Sequence, residues 1–210
     1  MTGQIEVEFI GPINEKKYKE LKTLFEKEGK FNKEKERLSL MYFRDGKIPR
    51  DITEIKDELV DLRFRVTNKE PEIVLKYGNF SGSHARKEVS INLEKDNAKD
   101  QIELLNLLGW NRGVIYATRT FVYVYHGIEF SLVEIKDYGY NFEAEILTTE
   151  NKVEEAKEKL SKELKLLNLE VFDDEGLNMQ CNAINNKKEL IFDFAKQSFE
   201  EHQQKFSEFY

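Results

Sequence analysis

Three pairs of like-charged residues, each pair separated by one residue, recur along this sequence: Glu6 and Glu8, Arg63 and Arg65, and Glu143 and Glu145. Each pair alternates with apolar residues, so a β-strand would place both charges of a pair on one face, with Cα atoms about 6–7 Å apart. Carboxylates this close repel each other, and a divalent cation would offset the repulsion. Oxygen ligands select Mg²⁺ or Mn²⁺, and magnesium commonly uses one or two protein carboxylates, with phosphate oxygens and water completing its shell.

Basic residues, which prefer anionic ligands, also lie in the strand-like segments. They are Arg63, Arg65, Lys76, Arg86 and Arg119. Guanidinium forks and ammonium groups bind phosphate oxygens. Carboxylates and cations that face one space would therefore suit a metal–polyphosphate complex. The alternative is a solvated sheet face on which Glu and Arg pair across strands, and the charge pattern alone leaves it open.

The elements that must position these residues follow from the hydrophobic periodicity. Alternation with period two predicts eight strands, at about 4–10, 37–44, 60–67, 72–77, 86–93, 113–125, 127–136 and 140–148. Helical spacing predicts helices over 13–28 and 96–108 and, after a cap at Thr148 or Thr149, one that carries Val153 to Leu167. We expect these helices to be followed by a short extended piece at 169–172, a turn rich in Asp and Gly, and a last helix over 187–208. The chain is thus predicted to be α+β, with an antiparallel sheet or barrel covered by helices.

Composition limits the classes of protein to which this chain can belong. Its 210 residues are 40% hydrophobic and 35% charged, which is typical of one globular domain with a charged surface or interior. The net charge of -7 argues against non-specific binding to duplex nucleic acid. No apolar run reaches the roughly 18 residues of a membrane span, and no signal pattern opens the chain. Together with the single cysteine, Cys181, these features predict a cytoplasmic protein without a membrane partner.

Other reactive or aromatic residues of the sequence are expected to have structural roles. His84, His126 and His202 are too scattered along the chain for a zinc site, and Cys181 lacks a nearby histidine motif. Tyr123, in the aromatic series of the strand over 113–125, could pack in the core or touch an organic part of a substrate, and packing is favoured.

The order of the charged motifs resembles that of the CYTH superfamily, the triphosphate tunnel metalloenzymes. An ExE strand is followed by LRFR, a strand ending in Lys, RxE, a strand carrying Arg after LGW, and a GY…ExE strand. The resemblance covers about residues 4–147, and KDYGYNFEAEI is similar to the corresponding stretch of thiamine triphosphatases. It implies an eight-stranded antiparallel barrel whose charged interior is a tunnel, within a single domain of residues 1–210. Residues 1–148 would form the barrel and 149–210 a helical segment packed on it.

The resemblance also implies roles for individual residues. The metal-binding positions match Glu6, Glu8, Glu143 and Glu145, with Glu88 as a further candidate. The positions that hold the triphosphate match Arg63, Arg65, Lys76, Arg86 and Arg119. Three positions depart from the family pattern. Ile10 replaces the lysine of ExExK, and Ala117 replaces a basic residue two before Arg119. The acidic residue expected in the strand before the GY motif has no clean match, and its candidates are Glu129, Glu134 and Asp137.

The expected function is Mg²⁺- or Mn²⁺-dependent hydrolysis of a triphosphate, either inorganic tripolyphosphate or an organic triphosphate such as thiamine triphosphate. Glu6, Glu8 and Glu145 are the expected catalytic residues. A cyclase of the class IV adenylate type is one alternative. A non-catalytic module that binds nucleotide or polyphosphate is another, motivated by Ile10 and Ala117.

Overall fold

The computed structural model describes residues 5–43, 60–77 and 87–210, and for a few of these, Glu6, Lys76 and Glu88 among them, it describes the backbone alone. The strands are β1 (Ile5–Ile13), β2 (Lys30–Tyr42), β3 (Val60–Thr67), β4 (Glu70–Tyr77), β5 (Lys87–Asn92), β6 (Arg112–Tyr125), β7 (Ile128–Ile135), β8 (Gly139–Thr148) and β9 (Ile191–Asp193). The helices are α1 (Glu15–Glu28), α2 (Ala98–Leu107), α3 (Val153–Leu166), α4 (Asp174–Asn185) and α5 (Phe199–Lys205). Within the described residues, no helix has the length and apolar character needed to cross a membrane.

The strands form one antiparallel sheet. Their hydrogen-bonded order is β1-β8-β7-β6-β2-β3-β4-β5, and β9 pairs with β6 beside this path. The predicted α+β class and antiparallel sheet are confirmed. The sheet has nine strands rather than eight, and within the described residues no pairing joins β5 to β1, so it is not strictly closed.

Two compact units divide the chain, and the described residues of the first are 5–35 and 118–177. In this unit α1 and α3 cover one side of strands β1, β8, β7 and β6. Leu21 and Phe25 of α1 and Leu160 of α3 are buried there against Phe130 and Phe142. Helix α1 begins after Asn14, whose side chain accepts a hydrogen bond from the Lys17 amide at 2.8 Å.

The described residues of the second unit are 36–43, 60–77, 87–117 and 178–210. Its core joins the apolar side of β2 and β3 to α2, β9 and α5. Leu40 and Phe64 from the strands pack in one cluster with Ile102, Phe192 and Phe199. The prediction of a single domain with a helical segment after residue 148 stays a prediction.

Two predictions for the C-terminal region are wrong. The final helix does not run over 187–208, because Phe192 and Phe194 are both buried at spacing two, as in a strand, and Ile191–Asp193 pairs with β6. Helix α5 begins only after Ser198, which forms a capping box with Glu201. The expected Asp- and Gly-rich turn is instead the start of α4, where the Asp173 carboxylate accepts a hydrogen bond from the Gly176 amide at 2.7 Å.

Candidate functional site

Four glutamates share one face of three adjacent strands in the first unit. Glu145 of β8 lies directly opposite Glu8 of β1 on one side and Glu129 of β7 on the other. Glu143, two residues before Glu145, projects to the same face. We call Glu8, Glu129, Glu143 and Glu145 the acidic face. All four side chains are half-buried.

The register also gives the neighbours of these glutamates. Ile10 lies opposite Glu143. The position at which ExExK has a lysine is therefore on the acidic face. Glu129 accepts a hydrogen bond from the Asn32 side-chain amide at 3.1 Å. The backbone of Glu6 pairs with Leu147, whereas its side chain lies outside the described residues.

Buried polar side chains continue the acidic face across β7 and β6. Ser131 lies opposite Glu143, and Thr118 and Thr120 of β6 pair with Ile135 and Val133 of β7 on this same side. Ser131, Thr118 and Thr120 are all buried. Sequence reasoning missed these hydroxyls, although their alternation with core residues along each strand was a usable signal.

Arg119 is not brought together with the glutamates. It lies opposite Glu134 and shares its side of β6 with Phe121, which contacts the helix-covered core. Its Nε donates a hydrogen bond to a Glu34 carboxylate oxygen at 2.6 Å, and its guanidinium carbon lies 5.1 Å from the centre of the Phe121 ring. Ala117 has the same orientation and is buried in the apolar core of the second unit. Strand β6 therefore presents hydroxyls to the acidic face at 118 and 120.

Two tyrosines on the helix-covered side have perturbed ionisation. Burial raises the pKa of Tyr18 to about 12, and the Glu134 carboxylate adds to this effect. Burial likewise raises the pKa of Tyr123 to about 12, and Glu26 adds to it. Both phenols stay protonated at neutral pH and therefore act as neutral groups. Tyr123 is only 1% exposed and packs against Phe25 with the two rings tilted by 45°, so the expectation that it packs in the core is confirmed.

A second charged face belongs to the second unit. Arg63 and Arg65 of β3 project to one side with Asp61, and Arg65 lies opposite Glu72 of β4. Arg37 of β2 lies opposite Thr67 on this side and donates a hydrogen bond to its hydroxyl at 3.0 Å. We call Arg37, Arg63 and Arg65 the basic face. The backbone of Lys76 pairs with Asp61 of β3 and with Glu88 of β5.

Each predicted arginine of the basic face contacts a carboxylate. Arg63 holds Asp61 through Nε at 2.8 Å and Nη2 at 2.5 Å. Arg65 is only 7% exposed, and its Nη1 lies 3.3 Å from a Glu72 carboxylate oxygen. The Nε of Arg65 is buried and has no hydrogen-bond partner among the described residues. A buried guanidinium with an unmet donor is suited to an oxyanion.

The remaining predicted site residues lie partly or wholly outside the described residues. This applies to Arg86 and to the side chains of Glu6, Lys76 and Glu88. Among the side chains that are described, no group of three or more His, Cys, Asp or Glu could hold a metal ion. The paired register of Glu8 and Glu145 nevertheless fits a metal that takes one or two protein carboxylates, as magnesium does.

Comparison with known proteins gives fold similarity alone. No family model matches the chain, and no curated protein matches it. A solved Pyrococcus horikoshii protein, PH1819, has 24% identity and a TM-score of 0.61, covering 85% of this chain and 99% of its own. HpAC1 from Hippeastrum, described as having a dominant triphosphatase activity, has 17% identity and a TM-score of 0.55, covering 80% and 90%. A candidate adenylate cyclase from Vibrio parahaemolyticus has 16% identity and a TM-score of 0.53, covering 83% and 92%.

Proposed function

We propose that this chain, which has the fold of the CYTH superfamily, is a metal-dependent hydrolase of a triphosphate. The substrate would be inorganic tripolyphosphate or an organic triphosphate such as thiamine triphosphate. The observation that carries the proposal is the in-register row of Glu8, Glu145 and Glu129 across three adjacent strands. Like charges directly opposite each other destabilise a sheet. A divalent cation bound between these carboxylates would offset their repulsion.

The two charged faces would have separate roles. Glu8 and Glu145, with Glu6 as a further candidate whose side chain lies outside the described residues, would hold Mg²⁺ or Mn²⁺, and water and phosphate oxygens would complete its shell. The bound metal would supply positive charge that offsets the charge of the phosphate oxygens. Arg63 and Arg65, with Lys76 and Arg86, would donate hydrogen bonds to the phosphate oxygens.

The chemistry of hydrolysis then needs an oriented water molecule and a fixed phosphate chain. A glutamate of the acidic face would accept a hydrogen bond from the attacking water and orient it. The guanidinium groups would offset negative charge on the phosphate oxygens as the bond to the leaving group lengthens. Arg119 is not among the proposed phosphate-binding residues, because it pairs with Glu134 on the other side of β6 from the acidic face.

A cyclase activity is the second candidate, and the fold similarity to the Vibrio parahaemolyticus protein motivates it. The two reactions differ in their products. Hydrolysis releases phosphate, whereas cyclisation of ATP releases pyrophosphate and forms cyclic AMP. The similarity to HpAC1, with its dominant triphosphatase activity, favours testing hydrolysis first.

The test measures phosphate release from tripolyphosphate, thiamine triphosphate and ATP with Mg²⁺ or Mn²⁺, with a chelator control and a parallel assay for cyclic AMP. The Glu145→Gln variant is expected to lose metal-dependent turnover while it stays folded. Glu155→Gln, on the exposed side of α3, is the matched control and should keep the wild-type rate. Equal turnover in Glu145→Gln and wild type would refute the role of the acidic face. Binding of tripolyphosphate without any product would identify a non-catalytic binding module.

A further inference from the structure

Asp61 is placed to orient Arg63. The two residues stand at spacing two on β3, so both project to the same side of the sheet. The Asp61 carboxylate contacts Nε at 2.8 Å and Nη2 at 2.5 Å, so it engages one whole edge of the guanidinium. Both side chains are largely shielded from solvent, with relative exposures of 16% for Arg63 and 13% for Asp61. A bidentate contact of this kind fixes the plane of the guanidinium as well as its position.

Glu72 has the corresponding position beside Arg65. It lies directly opposite Arg65 in the β3–β4 register, and one of its carboxylate oxygens is 3.3 Å from Nη1. The Arg65 side chain is only 8% exposed, so its charge is largely removed from water. Its Nε is buried without a hydrogen-bond partner among the described residues. Glu72 therefore holds the outer end of the guanidinium, while the Nε edge still has an unmet donor.

We propose that Asp61 and Glu72 are positioning residues, which hold Arg63 and Arg65 in the orientation that binds an oxyanion. The proposal rests on the proposed function, because the oxyanion is taken to be a phosphate group of a polyphosphate. Neither carboxylate touches the ligand. They act through the arginines, by removing the freedom of two long side chains before the ligand arrives.

Two physical effects of these carboxylates have opposite signs, which makes the proposal testable. If they only added negative charge, their neutralisation would strengthen the binding of a polyanion. If they position the arginines, their neutralisation would weaken it, since each freed side chain must be ordered again on binding. Ordering one long side chain costs about 0.5–1.5 kcal/mol, which corresponds to a loss of roughly threefold to tenfold in affinity.

The experiment measures the binding of inorganic tripolyphosphate by calorimetry, with a chelator present so that no metal-dependent turnover occurs. It compares wild type with Asp61→Asn and Glu72→Gln. Glu70→Gln is the matched control, because Glu70 lies on the same side of β4, is 72% exposed and pairs with Lys95 rather than an arginine. Arginine Nε–H signals, followed by NMR in the ligand-free proteins, report directly whether the guanidinium groups are held.

Weakening by roughly threefold to tenfold in Asp61→Asn and Glu72→Gln, with Glu70→Gln like wild type, supports positioning. We also expect the Arg63 Nε–H signal to exchange faster with solvent in Asp61→Asn. Unchanged or tighter binding in both variants would overturn the proposal while leaving the proposed function standing. Absence of tripolyphosphate binding in wild type, with and without Mg²⁺, would instead overturn the proposed function itself. If Asp61→Asn does not fold, the Glu72→Gln comparison decides the question. Glu72 makes one contact of 3.3 Å with Arg65, whereas Asp61 makes two shorter contacts with Arg63.

Discussion

His202 is a buried base whose ionisation should couple the stability of the protein to pH. Its side chain lies on α5 and is only 3% exposed, and its Nε2 has no hydrogen-bond partner among the described residues. The nearest rings are Phe206 and Phe194, with centroids 4.9 Å and 5.7 Å from that of the imidazole. Burial lowers the pKa of His202 from 6.5 to about 4, and the Lys205 ammonium adds to this effect.

The sign and size of the effect follow from this pKa. The imidazole is neutral in the folded protein at pH 7, whereas in the unfolded chain it binds a proton as pH falls below 6.5. Protonation of the unfolded chain alone lowers the free energy of unfolding until pH reaches about 4, where the folded protein binds the proton too. The difference between 6.5 and about 4, at 1.36 kcal/mol per pKa unit, gives a loss of about 3 kcal/mol.

The perturbation that isolates this effect is His202→Phe, which keeps an aromatic ring and removes the titrating group. Urea unfolding of wild type and variant at pH 7, 6, 5 and 4 gives the free energy of unfolding of each. We expect their difference to change by about 3 kcal/mol across this range in favour of the variant. Leu160→Val, a core variant of the first unit that leaves His202 and its neighbouring rings unchanged, should differ from wild type by a constant amount at every pH.

Two results would refute this reasoning. The first is a difference between wild type and His202→Phe that stays the same from pH 7 to pH 4. The second is an NMR titration of His202 in the folded protein with a pKa at or above 6.5, which would show that burial does not disfavour the charged form.

Three further predictions follow from the fold and the two charged faces. Ile10→Lys places an ammonium beside Glu143 on the acidic face, and calorimetry should show about tenfold tighter tripolyphosphate binding. Unchanged affinity would contradict the proposal that the acidic face lies at the substrate site. Arg119→Gln should reduce turnover less than Arg65→Gln, because Arg119 faces away from the glutamates; the opposite order of rates would show that the assigned side of β6 is wrong. Asn14→Ala should lower the free energy of unfolding by about 1 kcal/mol in urea, because it removes the cap of α1, and Asn14→Ser, which keeps an acceptor, should not.

The sequence could predict the elements wherever one local pattern was unambiguous. The alternation in VDLRFRVT predicted β3 over 60–67, the range that the structure has, because Leu62, Phe64 and Val66 form a clean apolar side. The spacing of Glu143 and Glu145 likewise fixed both on one face of β8. These results depend only on the period of a strand, which every residue of the segment obeys.

Only the tertiary structure decided which residues of adjacent strands share one face of the sheet. Along β6, aromatic and aliphatic residues occur on both sides, so alternation alone could not show that Arg119 lies opposite Glu134 rather than with the acidic face. The strand β9 and the start of α4 were missed because tertiary pairing with β6, and a cap from Asp173, outweighed the local pattern. The contacts of Asp61 and Glu72 with the arginines likewise emerge only in the folded sheet. A pattern in sequence fixes the period of an element, whereas strand register and packing fix which charges meet.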